Sequence, residues 1–165
     1  MGFEEVYDKY FARIYNYIRY RVLARDAADD LVSAVFEKVL DNFDSFDPGK
    51  APLEPWLYAI ARNTLNDYYR RRKVRGWLSI TDHEETLASS ESVERSAERG
   101  EENARLLAAL AELSEQEREL IAMKFTLDQT NREIAAQTGL GESHVGVLLF
   151  RAMGKLRGRL GAEGV

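Results

Sequence analysis

Residues 130–157, "TNREIAAQTGLGESHVGVLLFRAMGKLR", have the layout of two short helices joined by a turn. Thr130 is followed three residues later by Glu133, the pattern of a capping box, so a helix starts there. Ile134 and Ala135 give it an apolar face, and Gly139 is placed to stop it in a left-handed turn. A second helix opens near Gly141 and carries Val145, Leu148, Leu149, Ala152, Leu156 and Leu160 at three- and four-residue steps. This is the pattern of a helix-turn-helix, whose second helix enters the DNA major groove. An ordinary helical hairpin has the same pattern, and spacing alone leaves both open.

Upstream, "ARLLAALAEL" is helical in pattern, and Ser114 with Glu117 predicts a second capping box. Further back the periodicity disappears. From Asp82 to Glu102 eight acids face two arginines, and Ser, Thr and Glu dominate, so too little apolar area exists to offset the cost of ordering. We read residues 76–100 as an acidic linker between an N-terminal domain, 1–75, and a C-terminal domain, 101–165.

The N-terminal domain should hold three helices. Phe3, Val6, Tyr7, Tyr10, Ile14, Tyr17, Ile18 and Arg21 recur at helical steps. A second helix is expected over Asp26 to Asn42, with Leu31, Val35, Val39 and Leu40 on one side and Asp26, Asp29 and Asp30 near its positive end. "NFDSFDPGKAPLEP" breaks the pattern as a loop. A third helix should run from about Pro55 to Lys73 and bury Trp56, Leu57, Ile60, Ala61, Thr64, Leu65 and Tyr68. The fold class is therefore all-α, as two small helical domains.

Charge is unevenly placed along a chain whose formal net charge is -5. From Ile60 to Gly76 six cations face Asp67 alone, five of them packed between Arg70 and Arg75. That exceeds what capping a helix C-terminus needs, and phosphate neutralisation is the obvious use. Asn63 and Asn66 lie on the same helix, and Asn reads adenine edges. Tyr68 and Tyr69 are each suited either to stacking on an unpaired base or to ordinary packing, and spacing does not choose.

Catalysis finds no constellation. There is no cysteine, and His83 and His144 lack metal-ligand spacing. No Gly-rich phosphate loop or nucleophile motif occurs. No cofactor is expected. No apolar run approaches the roughly 20 residues that span a bilayer, and "MGFEEVYDKY" lacks the apolar segment of a secretory signal, so a cytoplasmic protein without membrane insertion is expected.

Together these segments resemble the extracytoplasmic-function sigma factors of bacterial RNA polymerase. "FEEVYDKYFARIYNYIRYRV" looks like the opening helix of that family, and "DAADDLVSAVFEKVL" is similar to its polymerase-binding helix. "PWLYAIARNTLNDYYRRRK" is close to its promoter-melting helix. "ALAELSEQERELIAMKF" with the helix-turn-helix resembles its C-terminal domain. The resemblance implies a promoter-specificity subunit without enzyme activity. Asp29, Asp30, Leu31 and Lys38 would face the polymerase clamp helices. Arg62, Asn63, Asn66, Arg70, Arg71, Arg72 and Lys73 would engage the minus-ten element, with the loop from Phe43 to Leu53 completing a pocket for a flipped base. Arg132, Ser143, His144, Gly146, Val147, Phe150 and Arg151 would serve the minus-thirty-five element. The acidic linker would thread toward the active-site and RNA-exit channels.

The resemblance also implies an inhibitory anti-sigma partner. Two departures stand out. Gly146, Val147 and Leu148 occupy a stretch that is commonly basic or polar in the family, and Ser33 and Ala34 stand where many relatives have Gln and Glu. Base readout by methyl contacts, by backbone approach at Gly146 and by DNA shape is one consequence, and packing of Val147 and Leu148 on a protein is another. A helix-turn-helix regulator and an interaction-only protein that binds polymerase or an anti-sigma factor remain the alternatives.

Overall fold

The structure is a computed structural model that describes residues 1–78 and 97–163. Among the described residues there is no strand. The elements are α1 (Phe3–Val22), α2 (Arg25–Asn42), α3 (Leu53–Leu78), α4 (Ala97–Ala111), α5 (Glu115–Phe125), α6 (Asn131–Thr138) and α7 (Glu142–Glu163), with a short 3-10 turn at Phe43–Ser45.

In α1 the helical repeat buries Val6, Tyr10, Ile14, Tyr17, Ile18, Arg21 and Val22, leaving Tyr7 partly exposed. Only Leu23 and Ala24 separate α1 from α2, so the chain must reverse sharply. Leu23 does so at φ 69, a region that costs a β-carbon-bearing residue energy. Its N–H bonds the Arg19 carbonyl at 3.0 Å, and the Arg19 side chain donates back to the Leu23 carbonyl. Helix α2 buries Ala28, Leu31, Val32, Val35, Phe36 and Val39 against α1. Leu40, expected on that side, is 55% exposed, because one residue past Val39 the helix has turned by about 100°. Phe36 completes an aromatic wall, with ring centroids 4.8 Å from Tyr7 and 6.0 Å from Phe11.

Helix α3 starts at Leu53, behind Pro52, and runs to Leu78, five residues beyond Lys73 where the basic run suggests an end. Arg70 pairs with Asp67 at a three-residue step, and Arg72 donates to the Tyr68 hydroxyl at 3.3 Å from four residues on. These same-face pairs support the helix against the repulsion among its cations. Its buried side holds Leu57, Tyr58, Ala61, Thr64 and Leu65, with Trp56, Ile60 and Tyr68 half-buried. Of the segment expected as a linker, the first residues continue α3 and the last open α4. The rest lies outside the described residues.

Both capping boxes form. The Ser114 hydroxyl accepts from the Glu117 N–H at 3.1 Å, and the Glu117 carboxylate accepts from the Ser114 N–H at 3.0 Å. Thr130 and Glu133 repeat the arrangement at 3.1 and 3.3 Å. Gly139 ends α6 at φ 78, donating its N–H to the Ala135 carbonyl at 3.0 Å. Glu117 also ties α5 to α7, since both of its carboxylate oxygens accept from Lys155 at 3.0 Å. The halves are not separate beads. Helix α1 packs on α5, and the buried apolar residues of both halves belong to one cluster.

Candidate nucleic-acid interface

The polar side of α3 follows from its burial pattern. With Leu57, Ala61, Thr64 and Leu65 inward, Asn63, Arg70, Arg71, Lys73 and Arg75 are exposed and Asn66 is half-buried. Arg72 is half-buried, its guanidinium 5.6 Å from the Tyr68 ring centroid. Tyr69 is not available for stacking, since its hydroxyl donates to the Arg21 carbonyl at 2.7 Å. Burial pushes that hydroxyl above the ordinary tyrosine range. Ahead of this face, Phe46 in the loop lies on Trp56 at 4.6 Å between centroids, so loop and helix start are joined. At about 100° per residue, Asn63, Asn66, Arg70 and Lys73 fall on one side of α3, while Arg71 and Arg75 are exposed further round, past the end of the buried face.

On α2, Asp29 and Asp30 are exposed. Leu31 and Lys38 are placed differently. Leu31 is 8% exposed and belongs to the core, so its side chain does not share that face. Lys38 is half-buried and donates to the Thr64 hydroxyl at 3.2 Å, bridging α2 to α3. Thr64 in turn donates to the Ile60 carbonyl at 2.8 Å, which fixes its rotamer. Between α1 and α2 an open apolar groove is lined by Phe3, Tyr7, Phe11, Val32, Phe36 and Leu40.

In the helix-turn-helix, Ile134 on α6 and Val145, Leu149, Ala152 and Leu156 on α7 point inward. Arg132, Ser143, His144, Val147, Phe150 and Arg151 are exposed or partly so. Val147 is 46% exposed and Phe150 73%, an outward apolar pair that no packing demand explains. Leu148 is half-buried against the core, so it does not extend that pair. Gly146 is not required by space: an added Cβ would lie 3.7 Å from the Asn131 amide nitrogen, an ordinary contact.

Arg62 departs most from its sequence-based placement. Its Nε donates to Glu119 at 2.6 Å and its Nη1 to the Gln137 carbonyl at 3.0 Å. The Arg62 and Glu119 side chains are 23% and 15% exposed, so the pair lies in the seam between the halves. Arg21 lies in the same seam at 5% exposure, its guanidinium 5.8 Å from the Tyr17 ring and 5.3 Å from the Tyr69 ring. Burial works against its charge, but Tyr17, Glu119 and Tyr69 more than compensate and hold its pKa above the ordinary value. Sequence reasoning misses Glu119 and Gln137 altogether. Nothing in their spacing marks them, because only the folded chain brings them to Arg62.

Among the described residues no group of His, Asp and Glu is placed to hold a metal, and no helix is long and apolar enough to cross a membrane. What the described residues present is a basic, amide-bearing helix, an acidic helix start and a helix-turn-helix on one compact body.

Comparison with known proteins accounts for both halves. The model of Sigma-70 region 2 matches residues 6–75, and that of Sigma-70 region 4 matches residues 103–156. The chain is 33% identical over 137 residues to the ECF RNA polymerase sigma factor RpoE of Cereibacter sphaeroides, covering 81% of this chain and 70% of that one. It is 32% identical to BldN of Streptomyces coelicolor over 92% of this chain, although it spans only 58% of BldN's length. SigM of Bacillus subtilis is 25% identical over 95% of this chain and 94% of its own.

Among solved structures, CnrH in complex with the cytosolic domain of CnrY aligns with a TM-score of 0.68, at 25% identity, covering 98% of this chain and 88% of that one. The sigma factor RpoE in complex with the anti-sigma factor NepR from Bartonella quintana shares the fold at a TM-score of 0.77, 22% identity and 98% coverage of both. Region 2 and region 4 occur in that order, on the helices described above, and the chain belongs to the ECF sigma factors of RNA polymerase.

Proposed function

We propose that this chain is a non-catalytic initiation factor that docks on core RNA polymerase in the cytoplasm and carries it to promoters. In this reading residues 1–75 bind polymerase and the minus-ten element, 76–100 thread through the polymerase, and 101–165 bind the minus-thirty-five element. Asp29 and Asp30 meet a basic polymerase surface, while Leu31 and Lys38 hold the helix that presents them. Arg62, Asn63, Asn66, Arg70, Arg71, Arg72 and Lys73 hold the minus-ten strand, with the cations on phosphates. Capture of an unstacked base by Asn63 and the loop offsets the few kcal/mol needed to extrude it, which favours melted DNA without ATP.

Arg132, Ser143, His144, Gly146, Val147, Phe150 and Arg151 face the minus-thirty-five duplex. An anti-sigma factor is the natural restraint on such a protein, as in the CnrY and NepR complexes of its structural neighbours. The carrying observation is the side of α3 on which exposed Asn63, Arg70 and Lys73 lie together with half-buried Asn66.

The test is capture of bacterial core polymerase by the tagged chain, followed by transcription on a pool of promoter fragments. Capture with selective initiation supports the reading. Capture without initiation makes the chain an interaction-only protein, for which the exposed Val147 and Phe150 speak. DNA binding without capture makes it an independent regulator.

A further inference from the structure

Beyond its opening 3-10 turn, the loop from Phe43 to Leu53 contains no regular element. Its own bonds are local. Ser45 Oγ donates to the Asn42 carbonyl at 2.8 Å. Asp47 accepts the Gly49 N–H on its carboxylate at 2.8 Å and the Lys50 N–H on its carbonyl at 3.0 Å. Turns of this kind set the shape of a loop but not where it sits. Placement needs contacts to another element, and α1 gives one at each end. Phe43 lies edge-on to Phe3, with centroids 6.2 Å apart. At the far end, the Tyr10 hydroxyl donates to Glu54 Oε1, in the first turn of α3, at 2.9 Å. Phe3 and Tyr10 are seven residues apart, almost two full turns, so one side of α1 serves both ends.

The Tyr10 hydroxyl is the informative group. Tyr10 is 4% exposed, and a phenylalanine would fill the same space. The hydroxyl adds a bond to the carboxylate of an exposed residue, which water would otherwise satisfy, so the net gain in stability is small. What the bond adds is direction. It fixes Glu54, and with it the first turn of α3, against α1. Trp56 follows two residues later and lies against Phe46 at 4.6 Å, tilted by 30°. The path of contacts therefore runs from Tyr10 through Glu54 and Trp56 to Phe46, inside the loop. A second bond, from Arg13 to the Tyr58 hydroxyl at 2.9 Å, ties the next turn of α3 to the same helix.

We propose that Tyr10 and Glu54 are positioning residues for the minus-ten base pocket, acting through Trp56 and Phe46 without touching DNA themselves. The inference rests on the reading of this loop as the pocket for an extruded base. A shift of about 1 Å in a site of this kind changes selectivity while leaving the fold intact.

The test uses holoenzyme assembled from core polymerase and the full chain, on the fragment most enriched in the transcription pool. Output is measured with each of the four bases at each minus-ten position, which gives a preference profile. In the parent chain the position of the extruded base should show the sharpest preference. Tyr10→Phe and Glu54→Ala should each flatten that preference about fivefold, with polymerase capture and the other positions unchanged. The double variant should be no flatter than either alone, since both changes remove the same bond. Glu54→Gln keeps an oxygen for Tyr10 and should keep the profile. Val35→Ala, which opens a cavity in the core of the same half, should lower output on all fragments alike.

An unchanged profile in Tyr10→Phe or Glu54→Ala would overturn the role. So would equal flattening by Val35→Ala, or a flattened profile in Glu54→Gln. A parent chain with no preference at any minus-ten position would remove the pocket itself, and that failure of the underlying reading is seen before any variant is made.

Discussion

The two helices assigned to DNA present opposite chemistries. Helix α3 turns Arg70, Arg71, Lys73 and Arg75 outward, whereas α7 turns out Val147 and Phe150 beside a single arginine, Arg151. Charge acts over a Debye length, about 8 to 10 Å, and is blind to sequence. An apolar contact acts only on touching and distinguishes a thymine methyl from its absence. On the proposed reading, the cations of α3 would supply sequence-blind affinity, and the apolar pair of α7, like the asparagines of α3, a sequence-sensitive contact. Salt should act mainly on the first.

The largest effect that could break this division is Arg70→Glu with Arg71→Glu. Promoter-dependent transcription should be abolished while polymerase capture persists, and binding to single-stranded DNA should fall about a hundredfold, with the salt slope reduced by about 1 to 2. Normal transcription from that variant would remove the basic strip from the mechanism.

Next comes Glu117→Ala, which removes a helix cap and leaves Lys155 and the Ser114 N–H without their shared acceptor. The C-terminal half should lose about 2–3 kcal/mol, read by denaturant unfolding. DNA discrimination should suffer before polymerase capture does.

The halves should also fail at opposite ends of the pH scale. Burial and a 2.9 Å hydrogen bond to Glu54 push the Tyr10 hydroxyl up to about 12, from an ordinary value of 10.0. A raised folded-state pKa means stability that is complete below pH 10 and is lost as pH rises toward 12. Glu117 is the reverse. Burial raises its pKa, but hydrogen bonds from the Ser114 backbone and Lys155 outweigh it and hold the carboxyl below 4.5. That contribution is present above pH 4.5 and is lost as acid drives the pH through the lower folded value. Unfolding followed by a probe in each half should show acid loosening the C-terminal helices first and alkali the N-terminal ones.

The smallest effect sharpens the comparison most. Phe150→Ala should cost about 1 kcal/mol of duplex binding with no change in salt slope. Replacing thymine by uracil in the bound duplex should weaken the parent chain but not the variant. A change in salt slope instead would mean that α7 works through phosphates.

Much of the fold can be read from the chain because its signals are local. The pairs Ser114–Glu117 and Thr130–Glu133 and the stop at Gly139 each depend on residues within one or two turns, and all three form as expected. The end of α3 is harder to read for a related reason. A dense cationic run looks like a terminus until the supporting contacts of Asp67 and Tyr68 are seen. The family resemblance points Leu31 and Lys38 outward, yet helix phase turns Leu31 inward and Thr64 draws Lys38 across. The seating of Arg62 is beyond reach altogether, since its partners lie 57 and 75 residues along the chain. Long-range choice among exposed positions leaves no periodic mark.

Helix α3 also has a mechanical consequence. Beyond Leu65 none of its described residues is buried, and the helix continues to Leu78. Tyr68 still packs on the core and the Tyr69 hydroxyl is bonded to the Arg21 carbonyl, so the free arm begins at Arg70 and is about 13 Å long at 1.5 Å per residue. A rocking of about 15° at Tyr69 moves its tip by roughly 3.4 Å, the rise between neighbouring nucleotides on one strand. The arm is a lever with graded reach: the same motion swings Arg75 through about 2 Å and hardly moves Arg70.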